Sequence, residues 1–171
     1  MKAEFLFNIL ILTLFLFGGN YCFHYYFKKK REQLFKDLHD KEVEYIENVK
    51  TKIVGFSAFS FSNRIYTSDV ILVNNNIVII LHNYFLLIKR NQSLLQLAIN
   101  RKERKLNGVT SSLKFIKNIQ VLNDKIKISL NDSRTITAEQ SVELDFADRN
   151  IDIKHALTKK HIINQQNSFV S

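Results

Sequence analysis

Residues 66–81 read YTSDVILVNNNIVIIL. Two β-rich runs, Tyr66–Val73 and Ile77–Leu81, stand on either side of Asn74-Asn75-Asn76. Val, Ile, Tyr and Thr favour the pleated backbone, and consecutive Asn residues favour a turn. The stretch therefore predicts strand, turn, strand. Working outward, Ile126, Ile128 and Leu130 alternate with Lys125, Lys127 and Ser129, and Val142, Leu144 and Phe146 alternate with Glu143 and Asp145. That period of two is the strand signature. Val54, Phe56 and Ala58 alternate in the same way, and further β-rich runs lie at Phe85–Lys89, Leu94–Ile99 and Leu113–Val121. The polar breaks Ser62-Asn63-Arg64, His82-Asn83, Arg90-Asn91-Gln92, Asn107-Gly108, Asn123-Asp124 and Asn131-Asp132-Ser133 have turn chemistry. Short strands at this spacing predict an antiparallel barrel or sandwich of about seven strands. A closing helix is expected over residues 150–162, with Asp148 or Asn150 as its N-cap and a loose polar tail from 163 to 171.

The N-terminal part follows a different rule. From Phe5 to Phe27 there is no Asp, Glu, Lys or Arg, and Lys28-Lys29-Lys30-Arg31 follow at once. About 20 apolar residues suffice for a helix to cross the hydrocarbon of a bilayer. Residues 1–27 therefore predict a transmembrane anchor, with Tyr21, Tyr25 and Tyr26 as its interfacial aromatic belt. A cleaved signal peptide competes with this reading. It wants small residues before the cut, where the chain has Asn20-Tyr21-Cys22-Phe23, and no basic cluster straight after the apolar core. The cluster of Lys and Arg places the rest of the chain in the cytoplasm by the positive-inside rule, which predicts a single-pass protein of the cell membrane.

Residues 28–52 contain neither Gly nor Pro and are rich in Lys, Glu, Leu and Gln. They predict a juxtamembrane stalk helix, leaving 53–162 as the β domain. Phe35, Leu38, Tyr45 and Val49 recur at roughly heptad spacing, with Glu42 interrupting the seam. A homodimer through the stalk and a helix folded back on the β domain both fit that pattern.

The 171 residues carry a formal charge of +9, which favours anionic lipid, acidic partners or nucleic acid. Cys22 is the single cysteine, so an intramolecular disulfide and a cysteine-based zinc site are excluded. Its place near the span boundary suits a small apolar residue of a helix better than an acylation site.

Seven strands followed by one helix resembles the pleckstrin-homology-like domains, whose small bacterial members read much as Ser68–Ile79 does here. The resemblance covers roughly Lys52 to His161. It implies a half-open barrel plugged by the C-terminal helix, with lipid, peptide or structural roles. Lipid-binding members grip phosphate with basic residues at the first hairpin, where this chain offers only Arg64 beside Ser62 and Asn63. The order of apolar helix, stalk and β domain is also similar to type IV pilin-like proteins and pseudopilins, and Lys105–Thr110, Leu113–Phe115 and Lys125–Leu130 look like their β portion. This second resemblance implies an extracytoplasmic assembly subunit; the leader-processing signature of that family is missing, and Glu4 precedes the apolar run.

Catalytic patterns are missing. His24, His39, His82, His155 and His161 form no i,i+4 ligand pair, and the four glycines at 18, 19, 55 and 108 make no phosphate loop. Asp145, Asp148 and Asp152 do not have calcium-loop spacing and read as turn and capping carboxylates. No enzyme activity, cofactor or metal is expected. The candidate sites are basic: Lys28, Lys29, Lys30 and Arg31 beside the membrane, and Arg101, Lys102, Arg104 and Lys105 on the longest loop, facing anionic lipid head groups or an acidic protein partner. Without interleaved aromatics or a DNA-binding pattern, nucleic acid is not an expected partner.

Overall fold

The computed structural model describes residues 2–55, 64–73, 76–85, 88–122, 124–131 and 140–147. Helix α1 (Lys2–Leu38) is followed by strands β1 (Val43–Val54), β2 (Arg64–Val73), β3 (Asn76–Phe85), β4 (Ile88–Ala98), β5 (Lys114–Leu122), β6 (Lys125–Asn131) and β7 (Gln140–Asp145). The fold is α+β: an N-terminal helix, then a single seven-stranded sheet. The strands pair in chain order, and the order closes on itself because β1 pairs with β7 as well as β2. The expected closing helix at 150–162 and the tail lie outside the described residues.

The stalk expected over residues 28–52 is corrected. Helix α1 stops at Leu38, and Val43 already lies in β1. Val43, Tyr45, Val49, Thr51 and Ile53 are β-branched or aromatic, and pairing with β2 along the strand, joined by β7 over Lys50–Val54, overrides the weak helix propensity of their neighbours. Tyr45 and Val49 therefore belong to a strand, and the heptad seam does not exist as a helix face. Leu34 and Leu38 are buried against the sheet of the same chain, so they are not the core of a dimeric stalk.

The sheet is not wholly antiparallel as expected. β4 and β5 pair in parallel, Leu97 with Lys114 and Ala98 with Phe115. A parallel pair needs a crossover connection, and the segment from Ile99 to Leu113 supplies it. The strand divisions change too. Breaks expected at His82-Asn83 and Arg90-Asn91-Gln92 are strand interior, and Phe85 and Ile88 face each other across the end of the β3–β4 hairpin.

Two apolar cores result. One fills the inside of the closed sheet, with Val70, Leu72, Ile77, Ile79, Leu81, Leu97, Ile128 and Val142 among its members. The other lies between α1 and the outer face of β2–β4, where Leu34 and Leu38 meet Ile71, Val73, Val78, Ile80 and Leu94, with Val109 of the crossover beside them. Both faces of β2 and β3 are covered, so their apolar runs do not alternate. Fully burying each such side chain contributes about 1.5–3 kcal/mol.

Gly108 lets the crossover approach the helix. Its φ is +86°, and a Cβ there would run into the Lys30 carbonyl and the Leu34 nitrogen. Asn107 adds hydrogen bonds from its backbone N–H and its side-chain amide to the Asp37 carboxylate, at 3.1 and 3.3 Å. The Ile99–Leu113 crossover thus straps the last third of α1 to the sheet.

Beyond the strap, α1 is bare. Phe5, Leu6, Phe7, Leu10, Leu12, Leu14 and Phe17 are all more than half exposed, and α1 is long and apolar enough to cross a membrane. Thr13 donates its hydroxyl to the Ile9 carbonyl at 2.7 Å, which satisfies one of the few polar side chains of the apolar stretch.

Candidate functional site

Polar groups buried between α1 and the sheet define the site. On β1, residues 47 and 48 together oppose one residue of β2, because the register shifts between the pairs Ile46↔Val70 and Val49↔Ser68. This is a β-bulge, with Asn48 at a left-handed φ of 53°. The β2 residue opposite is Asp69, 3% exposed. Its Oδ1 accepts the Asn48 backbone N–H at 3.0 Å, and its Oδ2 accepts the Tyr45 hydroxyl at 2.7 Å. On the other side, His82 Nε2 lies 2.9 Å from Asp69 Oδ2, with the pair almost fully buried. That contact is ion-pair close but not aligned as a hydrogen bond, and His82 Nδ1 has no hydrogen-bond partner among the described residues. A second register shift, between Leu81 and His82 against β4, falls beside the ring.

The helix joins this network through one side chain. Arg31 donates from Nη2 to the Tyr45 hydroxyl at 3.0 Å, and its guanidinium carbon lies 5.3 Å from the Phe35 ring centroid. Arg31, Tyr45, Asp69 and His82 thus form one polar chain from helix to sheet. Burial alone would raise the Asp69 pKa. The adjacent His82 ring, the Asn48 N–H and the Tyr45 hydroxyl outweigh it and hold the carboxyl well below the usual range. Tyr45 moves the other way: burial first, then its hydrogen bond to the Asp69 carboxylate, raise the hydroxyl far above the ordinary phenol, against the pull of Arg31.

A cleft of about 740 Å³ opens over this network, with His24, Lys28, Arg31 and Phe35 along one stripe of α1 and Glu47, Asp69 and His82 from the sheet. The helix residues recur every three or four positions, as one helical face requires. The cleft spans the end of the charge-free stretch, with His24 inside that stretch and Lys28 directly after Phe27.

Of the residues predicted from sequence, Lys28 and Arg31 line this cleft, and Lys29 is exposed outside it. Lys30 is half-buried, its ammonium 5.8 Å from the Tyr26 ring centroid and 3.2 Å from Gln33 Oε1. Tyr21, Tyr25 and Tyr26 are exposed on α1. Arg101, Lys102, Arg104 and Lys105 are exposed on the crossover, but the structure does not bring them to the first cluster. Gln96, fully buried, donates to the Arg104 carbonyl at 3.0 Å and to Asn76 Oδ1 at 2.9 Å, and accepts the Leu106 N–H at 2.8 Å. Asn76 in turn donates to Glu103 at 3.0 Å. These bonds tie the second cluster to Asn76, at the start of β3. Asp145 is a turn carboxylate, accepting the Ala147 N–H at 3.1 Å and paired with Lys125 at 3.2 Å. Asp148 and Asp152 lie outside the described residues. Among the described residues no group of three His, Cys, Asp or Glu side chains could hold a metal.

Tyr45, Asp69 and His82 escape sequence reasoning. Tyr45 reads as a stalk position and His82 as a turn. The available signal is Asp69 itself, a lone carboxylate inside an apolar strand, which must be paired when buried. Comparison with protein-family models, curated proteins and solved structures gives no match for this chain.

Proposed function

We propose that the chain is a single-pass membrane protein whose β domain sits on the cytoplasmic side as a non-catalytic interaction module at an anionic lipid surface. One observation carries this reading: α1 runs without a break from its exposed apolar stretch into the segment strapped to the sheet. No other part of this chain covers Phe5–Phe17 among the described residues, and a bilayer is the cover that such a helix fits. Lys28–Arg31 then meet the head groups, at about 1 kcal/mol each for anionic lipid. Because the helix is packed on the sheet, the domain is held at the surface in one orientation instead of swinging on a stalk.

For the β domain a pleckstrin-homology-like architecture is the proposal, supported by seven strands in one closed order. The parallel β4–β5 pair departs from the expected antiparallel pattern, and residues 150–162 would supply the plug. The acidic protein partner considered from sequence would dock on Arg101, Lys102, Arg104 and Lys105, exposed on the crossover.

Paired reporters fused at Ser171, one active only in the cytoplasm and one only outside, test the topology. Cytoplasmic activity supports the proposal. External activity overturns it and favours the pilin-like assembly reading.

A further inference from the structure

We propose that the cleft between α1 and the sheet is a binding site for one phosphorylated anionic lipid head group, held by Lys28 and Arg31 over His82. The inference rests on the membrane-anchored reading and adds a defined ligand site to it. Three observations carry it, together with the charge of the walls. The cleft volume, about 740 Å³, lies in the range of small-ligand sites. Its floor holds the His82 ring, 3% exposed, with Nδ1 lacking a partner among the described residues. A buried polar atom left unpaired costs free energy that a ligand oxygen removes. Asp69 needs no ligand cation, because its two oxygens are already met by Asn48, Tyr45 and His82.

The walls favour an anion. Arg31 uses Nη2 for the Tyr45 hydroxyl and, with five N–H donors on a guanidinium, keeps others for a phosphate oxygen. Lys28 stands one turn earlier on the same stripe. Glu32 and Glu47 also line the cleft, as do Lys36 and His39. The lipid is the favoured source of the phosphate because the cleft spans the level where the apolar stretch stops, the depth at which lipid phosphates lie.

The test uses the full chain in nanodiscs of phosphatidylcholine alone, with phosphatidic acid, or with phosphatidylserine. Native mass spectrometry counts retained lipids, and nitrogen-15 NMR follows the His82 ring. One phosphatidic acid held per chain is expected, with a shift at His82 Nδ1. Lys28→Gln and Arg31→Gln should each lower retention at least tenfold, while Lys29→Gln, outside the cleft, lowers it less than twofold. Equal losses for all three variants, in phosphatidic acid or in phosphatidylserine discs, would reduce the site to diffuse surface charge and overturn the proposal. A His82 shift with inorganic phosphate in phosphatidylcholine discs, and none with phosphatidic acid, would overturn the lipid as source. A chain that fails to insert into discs at all would instead overturn the anchored reading.

Discussion

The backbone N–H of Asn48 donates to Asp69 Oδ1 at 3.0 Å from the left-handed corner of the β1 bulge. The bulge and the buried carboxylate explain each other. The extra residue of β1 steps out of the ladder register, and its N–H meets Asp69, the acceptor placed opposite.

Stability should therefore depend on the charge of Asp69. Its pKa is depressed in the fold, so its contribution is complete above the unfolded value of about 4 and is lost as pH falls below that value. Asp69→Asn should cost about 3 kcal/mol near neutral pH, with the gap to wild type narrowing as pH falls below about 4. Thermal unfolding of the full chain in detergent from pH 7 to pH 3 measures it. A gap that stays constant across that range would show that the carboxylate charge is not what holds the bulge.

Tyr45 gives the opposite sign. A raised hydroxyl favours the fold while it is neutral, a contribution present below about pH 10 and lost only as pH rises through the higher folded value. Subtracting the ultraviolet titration of Tyr45→Phe from that of wild type should give no phenolate signal between about pH 9 and 11. Tyr45→Phe should also lose about 1–2 kcal/mol of stability, since both Arg31 and Asp69 lose a partner. A phenolate signal near pH 10 that disappears in the variant would mean that the hydroxyl is open to solvent.

Strand texture was legible because most strand positions are apolar on at least one face, and the apolar helix was legible because it has no charge for 23 residues. What could not be read was where polar residues go when they have partners. His82-Asn83 has turn chemistry in isolation, yet Asp69, thirteen positions earlier, lets His82 stay inside β3. The residues after Leu38 have helix-forming neighbours, yet pairing with β2 and β7 decides their state. Each miss comes from a contact distant in sequence. The basic half of the candidate site was readable from Lys28 and Arg31; its buried floor was not, because it is assembled from three strands.

Gly108 should tolerate no side chain. Its backbone is left-handed and lies against the α1 backbone at Lys30 and Leu34. A left-handed non-glycine residue alone costs on the order of 1–3 kcal/mol, and the clash adds to it. Gly108→Ala should loosen the crossover from α1 and raise hydrogen exchange at Val109 and Thr110, whose N–H groups bond Leu106 and Leu94. Exchange at Ile79, in the sheet interior, should change much less. Uniform acceleration across the sheet would argue that the strap and the sheet open as one unit.

Gln96 makes the corresponding prediction at the other end of the crossover. It is fully buried on β4 and holds Asn76, the Arg104 carbonyl and the Leu106 N–H at once. Gln96→Leu keeps the volume nearly constant but leaves the Arg104 carbonyl and the Leu106 N–H without that partner, at about 1–3 kcal/mol. The loss is local, because the sheet core packs on the opposite face. Trypsin should then cut at Arg101, Lys102, Arg104 or Lys105 about tenfold faster for each 1.4 kcal/mol by which loop opening is eased. Thermal unfolding of the sheet should shift by only a few degrees. Equal cleavage rates in variant and wild type would mean that the Asp37–Asn107 bonds and the Gly108 contact suffice to hold the loop, and that the second basic cluster keeps its place without Gln96.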